Sequence, residues 1–173
     1  MPTTDSDEHG PASPRAVVER FYEAFSRKDG RAMAALYAPA ARFSDPVFVD
    51  LDGAAAGAMW RMLTRAKTLT IEHAIIDVGV DGDAEVVRAT WRARYPAPGT
   101  GRPVENHITA TIRVRDGQIV EHRDVFDLKR WTRMAFGPVA SVPGMSTALS
   151  GLTRAMAGRQ LRAFAARLAV TER

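Results

Sequence analysis

The chain has no cysteine in its 173 residues. That absence excludes disulfides, thiolate nucleophiles, iron–sulfur clusters and Cys-type zinc sites together. No apolar run approaches ~20 residues, so no segment has the reach of a membrane-spanning helix. There is no HxH or HExxH spacing for a metal, no glycine-rich phosphate loop, and no G-x-S-x-G elbow to present a nucleophilic serine. Neither a metal nor a cofactor is expected. The opening MPTTDSDEHGPA lacks the basic start and apolar stretch of a secretory signal, and a cytoplasmic protein is the expectation.

What is present is an ordinary globular composition, 46% hydrophobic and 25% charged, on a chain long enough for one domain with a real core. The charge is uneven. Of 24 basic and 20 acidic side chains, 8 basic and only 1 acidic lie in residues 129–173, so the preceding chain is slightly acidic and the tail strongly basic. The domain offers no stacking aromatics on a basic face and no nucleic-acid motif, so no nucleic-acid partner is expected. Membrane contact by the tail is the weakest reading, since its apolar stripe can pack on the domain and leave its arginines in water.

Ser13-Pro14 reads as a helix start, with Val17, Val18, Phe21, Tyr22 and Phe25 at helical spacing behind it. Asp29 can cap a second helix carrying Met33, Leu36 and Tyr37. Residues 41–49 read as a short strand broken by Asp45-Pro46, and Asp52-Gly53 starts a third helix through Met59, Trp60 and Leu63. From Thr68 the period becomes two, over 68–79, 84–95, 103–115 and 118–128. Asp116-Gly117 is the clearest hairpin signal. A basic, aromatic helix, Leu128–Phe136, follows, then a breaker stretch and a last helix to about Ala169, whose apolar stripe (Leu149, Leu152, Met156, Leu161, Phe164, Leu168) slips near Gly158. Helices followed by a meander mean α+β, with helices on one face of a curved antiparallel sheet.

Alternation assigns faces. Val87, Ala89, Trp91, Ala93 and Tyr95 share one face of their strand; Asn106 lies with Val104, Ile108, Ala110 and Ile112 on the next. On 118–128 the apolar set Val120, Phe126 and Leu128 carries His122 and Asp124 inward. Asp45 shares parity with Phe43 and Val47. Two carboxylates, Asp45 and Asp124, are thus placed among apolar and aromatic side chains. A buried carboxylate costs several kcal/mol unless partnered, and its pKa is driven toward the neutral range useful to a general acid or base. The alternative is that Asp45 caps a turn before Pro46 and Asp124 pairs with an arginine. His73 has the parity of a hydrogen-bonded core histidine.

This order of elements resembles the nuclear transport factor 2-like fold and, within it, the SnoaL-like and ketosteroid-isomerase-like proteins. The resemblance covers residues 14–136 and implies a cone-shaped sheet packed on the three N-terminal helices. Composition and periodicity add a disordered lead (1–13) before that domain and a linker with a basic amphipathic helix (137–173) as a C-terminal helical tail after it. The stretch RFYEAFSRKDGRAMAALYAPAARFSDP, residues 20–46, is similar to the bacterial ketosteroid isomerase pattern, whose base falls on Asp45. That family's two oxyanion donors fall on Phe21 and Ala110, so steroid isomerisation by that route is not expected. Tyr22 is adjacent to the first, but about 100° around the helix. His122-Arg123-Asp124-Val125-Phe126-Asp127 resembles the WRDYFD-like segment of limonene epoxide hydrolases, whose catalytic Asp matches Asp124; their Arg-x-Asp pair has no counterpart in residues 88–94. SnoaL-type polyketide cyclases, which use an acidic residue in this region, demand less of the protein.

Two readings follow. One is an isomerase-, cyclase- or hydrolase-class enzyme, with Asp45 or Asp124 as acid/base, acting on an apolar, cyclic or polyketide-like molecule. The polar anchors would be Asn106, Tyr95, Tyr22, His73 and His122, and the walls Trp60, Trp91, Phe126 and Trp131. The other is a non-catalytic ligand-binding or scaffold module of the same fold. The resemblance also implies a homodimer.

Overall fold

A computed structural model describes residues 12–82 and 84–171 of the chain. The lead expected to be disordered therefore lies, up to residue 11, outside the described residues.

Four helices begin where a side chain can accept an orphan N–H. The N–H of Ala16 donates to Ser13 Oγ at the start of α1 (Pro14–Ser26) and that of Ala32 to Asp29 Oδ1 at α2 (Gly30–Ala35). Ala55 donates to Asp52 Oδ1 at α3 (Gly53–Leu63), and Arg130 to Asp127 Oδ1 at α4 (Leu128–Phe136). Close approach explains two glycines. A Cβ on Gly30 would lie 2.6 Å from Arg61 Cα, and one on Gly53 would lie 2.2 Å from the Ala38 carbonyl oxygen. The first lets α2 and α3 touch; the second seats the start of α3, and hence Trp60, against the sheet.

The strands are β1 (Tyr37–Ser44), β2 (Leu51–Asp52), β3 (Thr70–Asp81), β4 (Ala84–Pro96), β5 (Pro103–Arg115) and β6 (Gln118–Val125), in the sheet order β2-β1-β6-β5-β4-β3. The sheet is curved and does not close. β3 to β6 form the expected antiparallel meander, and the β5–β6 turn puts Asp116 at φ 51° and Gly117 at φ 74°, as a tight two-residue hairpin requires. One pair departs from the all-antiparallel expectation: β1 runs parallel to β6. β1 also starts before residue 41 and ends at Ser44, because Asp45 and Pro46 turn the chain.

Two local readings change. The β5–β6 register shifts between Arg113 and Val114, and this bulge on β6 makes Ile119, not Val120, the fully buried residue; inward alternation resumes at His122. In α5 (Met145–Thr171), Leu152 and Met156 are exposed. Only the later part of the expected stripe packs, through Ala157, Leu161, Phe164, Ala165 and Leu168. Their spacing of four, seven, eight and eleven along the helix is what one buried face requires. No described helix is long and apolar enough to cross a membrane.

The main core lies between the helices and the sheet, with Phe21, Phe25, Met33, Phe43, Trp60 and Ile112 all essentially inaccessible. A smaller apolar cluster (Ala97, Val104, Leu128, Trp131, Ala135) sits under α4.

Candidate functional site

β6 carries the centre of the site. After the bulge its even residues face the helices, which buries His122 (1% exposed) and Asp124 (3%). Parallel pairing of β1 with β6 brings in Tyr37, and α3 brings in Trp60. Trp60 Nε1–H donates to Tyr37 Oη at 2.9 Å; Tyr37 Oη and His122 Nδ1 are 2.6 Å apart; His122 Nε2 and Asp124 Oδ1 are 3.0 Å apart. Trp91 Nε1–H adds a longer bond to the same Asp124 oxygen at 3.4 Å. Phe21 and Phe43 stand edge-on to the His122 ring, with centroids at 5.3 and 5.2 Å. Asp124 is thus held by a histidine and a tryptophan, not by the arginine considered from the sequence.

Asp45 sits where β1 ends. Its Oδ1 accepts the N–H groups of Val47 at 2.6 Å and Phe48 at 2.5 Å, and its own N–H donates to the Phe48 carbonyl at 2.7 Å. This is the turn-capping arrangement an Asp before Pro favours. It does not neutralise the site's effect on the carboxyl. Burial pushes the Asp45 pKa up to about 7; the two backbone N–H groups oppose that shift and the Asp124 charge adds to it. The two carboxylates therefore feel one another across the site.

Tyr95 Oη accepts from Trp131 Nε1 at 2.8 Å, and the phenol is pushed up to about 12, by burial first and by the Asp45 charge in addition. Val47, Tyr95 and Phe126 are half-buried and pack against both apolar clusters, so they lie along the seam between them. Asn106 is buried on β5 opposite Ala93. Tyr22 is fully buried, its hydroxyl has no hydrogen-bond partner among the described residues, and burial followed by the Asp124 charge raises its pKa well above the usual value.

Several sequence-predicted residues sit differently from expectation. His73 is exposed rather than a core histidine, because β3 is an edge strand; its ring stacks on Tyr22 at 4.7 Å. Trp60 is a core residue and hydrogen-bond donor, not the wall of an open pocket. Trp131 belongs to the cluster under α4, beside Tyr95 rather than Asp124. Tyr37 was legible only as part of a helical stripe; its partner lies 85 residues away, and no local pattern encodes that contact. Two surface depressions are present, the first of them sharing Trp91 with the site. One, of about 430 Å³, is bordered by Glu72, Thr90, Trp91, His107 and Thr109 on the sheet; the other, of about 290 Å³, lies between Lys28, Arg31, Arg65 and Phe164. Neither includes Asp45 or Asp124.

A curved, open sheet wrapped on N-terminal helices is the nuclear transport factor 2-like fold of α+β proteins. Residues 18–122 match the SnoaL-like domain, and the chain belongs to that family. An epoxide hydrolase of the limonene epoxide hydrolase-like type from Mycobacterium tuberculosis is similar in fold, at 24% identity and TM-score 0.51, over 73% of this chain and 92% of that one. A protein with a ketosteroid isomerase-like fold from Catenulispora acidiphila, solved with trimethylamine, gives 18% and 0.56, over 75% and 98%. An NTF2-like protein of unknown function from Burkholderia pseudomallei gives 21% and 0.52, over 70% and 95%. Other structures of this fold carry provisional names as isomerases and as a polyketide cyclase. No curated protein sequence matches.

Proposed function

We propose that this protein is a small-molecule enzyme of the SnoaL-like type, in which Asp45 and Asp124 provide general acid/base chemistry on an apolar, cyclic or polyketide-like substrate. The observation that carries the reading is Asp124, buried yet held by His122 and Trp91, within electrostatic reach of a second carboxyl poised near neutrality. A group with its pKa near ambient pH exchanges protons most effectively, which suits Asp45 to the transfer itself. Asp124 supplies the neighbouring negative charge and a second basic oxygen. The seam lined by Val47, Tyr95 and Phe126 would receive the substrate's apolar body, with Asn106 and the Tyr22 hydroxyl as polar contacts. The names of similar folds are consistent with isomerase, cyclase or hydrolase chemistry and choose none of them. The homodimer implied by the family resemblance belongs to the same proposal.

A second reading, a ligand-binding or scaffold module, is favoured by the closely packed interior and by the turn that Asp45 caps. The two are separated by turnover of a panel of cyclic epoxides, cyclic ketones and aromatic polyketide esters. On any compound converted, Asp45→Asn and Asp124→Asn should each lower kcat by a factor on the order of 100 or more. Full turnover by both variants refutes the acid/base role.

A further inference from the structure

The hydrogen bonds around Tyr37 constrain one another. An indole N–H can only donate, so at the 2.9 Å contact Tyr37 Oη accepts from Trp60. If the His122 ring carried its proton on Nδ1, a second N–H would converge on that oxygen. The phenolic proton would then be left without an acceptor in a residue only 5% exposed. When the phenolic O–H instead donates to Nδ1 across 2.6 Å, the ring proton sits on Nε2, facing Asp124 Oδ1 at 3.0 Å. Every contact in the chain then has one donor and one acceptor. Turning the ring over would not relieve this: it would set ring carbons against Tyr37 Oη and Asp124 Oδ1 and forfeit both hydrogen bonds.

We propose that Tyr37 is the positioning residue of this site: by donating to Nδ1 it fixes His122 as the Nε2–H tautomer, so that Asp124 Oδ1 is occupied by N–H donors and Oδ2 is the oxygen offered to a ligand. Tyr37 acts only through His122 and touches no substrate. The tautomer at one nitrogen is set by the hydrogen bond at the other, and such outer partners orient the group that reacts. The inference rests on the acid/base reading of Asp124, and it adds to that reading which oxygen is available and what holds it there.

The direct test is long-range ¹H–¹⁵N NMR on histidine-labelled protein, with His122 assigned by loss of its signals in His122→Gln. The expected wild-type pattern is a protonated Nε2 and an unprotonated, hydrogen-bonded Nδ1. In Tyr37→Phe the Nδ1 resonance should lose its hydrogen-bond shift or the ring should populate the Nδ1–H tautomer. Trp60→Phe, which keeps the phenol, should retain the wild-type pattern. Protonation of Nδ1 in the wild type, or an unchanged spectrum in folded Tyr37→Phe, overturns the proposal. The wild-type spectrum decides even if a variant fails to fold. With a substrate in hand, kcat of Tyr37→Phe should fall by a factor on the order of ten to a hundred, with KM nearly unchanged. A wrong tautomer together with an inactive Asp124→Asn removes Tyr37's role and leaves the acid/base reading intact. The expected tautomer together with full activity of both Asp→Asn variants overturns that reading, and with it the catalytic role given to Tyr37.

Discussion

Replacing Asp45 by asparagine isolates the electrostatic cost of the site. Asn is nearly the same size and can keep the turn, because its own Oδ1 can accept the N–H groups of Val47 and Phe48. What it removes is the ionisable carboxyl, whose pKa is raised from 3.8 to about 7. A raised carboxyl pKa means the folded state holds the proton more tightly than the unfolded state. Stability is therefore fully retained below the unfolded value and is lost as pH rises through the folded one, between about pH 4 and 7. The whole shift would correspond to roughly 4 kcal/mol at 1.36 kcal/mol per unit. Asp45 is only half-buried, and solvent and local relaxation reduce the expected effect to about 1–2 kcal/mol. Urea unfolding followed by tryptophan fluorescence at pH 4 and pH 8 measures it. Asp45→Asn should gain on the wild type by that amount between the two pH values. A difference that stays constant with pH, or shrinks toward pH 8, refutes the buried-carboxyl argument.

Tyr22→Phe removes a hydroxyl that has no partner among the described residues. Since an unmade buried hydrogen bond costs about 1–3 kcal/mol, the variant should be at least as stable as the wild type, with a melting temperature higher by about 2–4 °C for each kcal/mol recovered. A loss of 1 kcal/mol or more would mean that the hydroxyl is satisfied in solution. Phe164→Ala should cost about 3 kcal/mol in chemical denaturation, because the ring anchors α5 in the main core beneath the Arg65 guanidinium, 5.6 Å from its centroid. A cost below 1 kcal/mol would show that α5 does not depend on this anchor.

Much of the framework follows from patterns a few residues long. Ser13, Asp29, Asp52 and Asp127 cap helices because each is a short polar side chain immediately before a stretch of helical spacing. Asp116-Gly117 makes a hairpin because both residues tolerate positive φ. Alternation was enough to turn Asp124 inward, since side chains on a strand alternate wherever the pairing is regular. It failed at Val120, where the bulge is a property of the β5–β6 pair rather than of either strand. It also misjudged His73, whose exposure depends on β3 lying at the edge of the sheet.

The sequence by itself therefore determined the α+β class, the helix starts, the meander and a carboxylate on an inward-facing strand, all of which depend on contacts within a turn or a strand. Only the tertiary structure decided what surrounds that carboxylate. The parallel pairing of β1 with β6 brings Tyr37 to His122, and the seating of α3 brings Trp60 to Tyr37. The shared burial of Asp45 and Asp124 shifts the Asp45 carboxyl toward neutrality. These effects arise between side chains tens of residues apart, in an environment of low polarity that exists only once the sheet and helices have closed on one another.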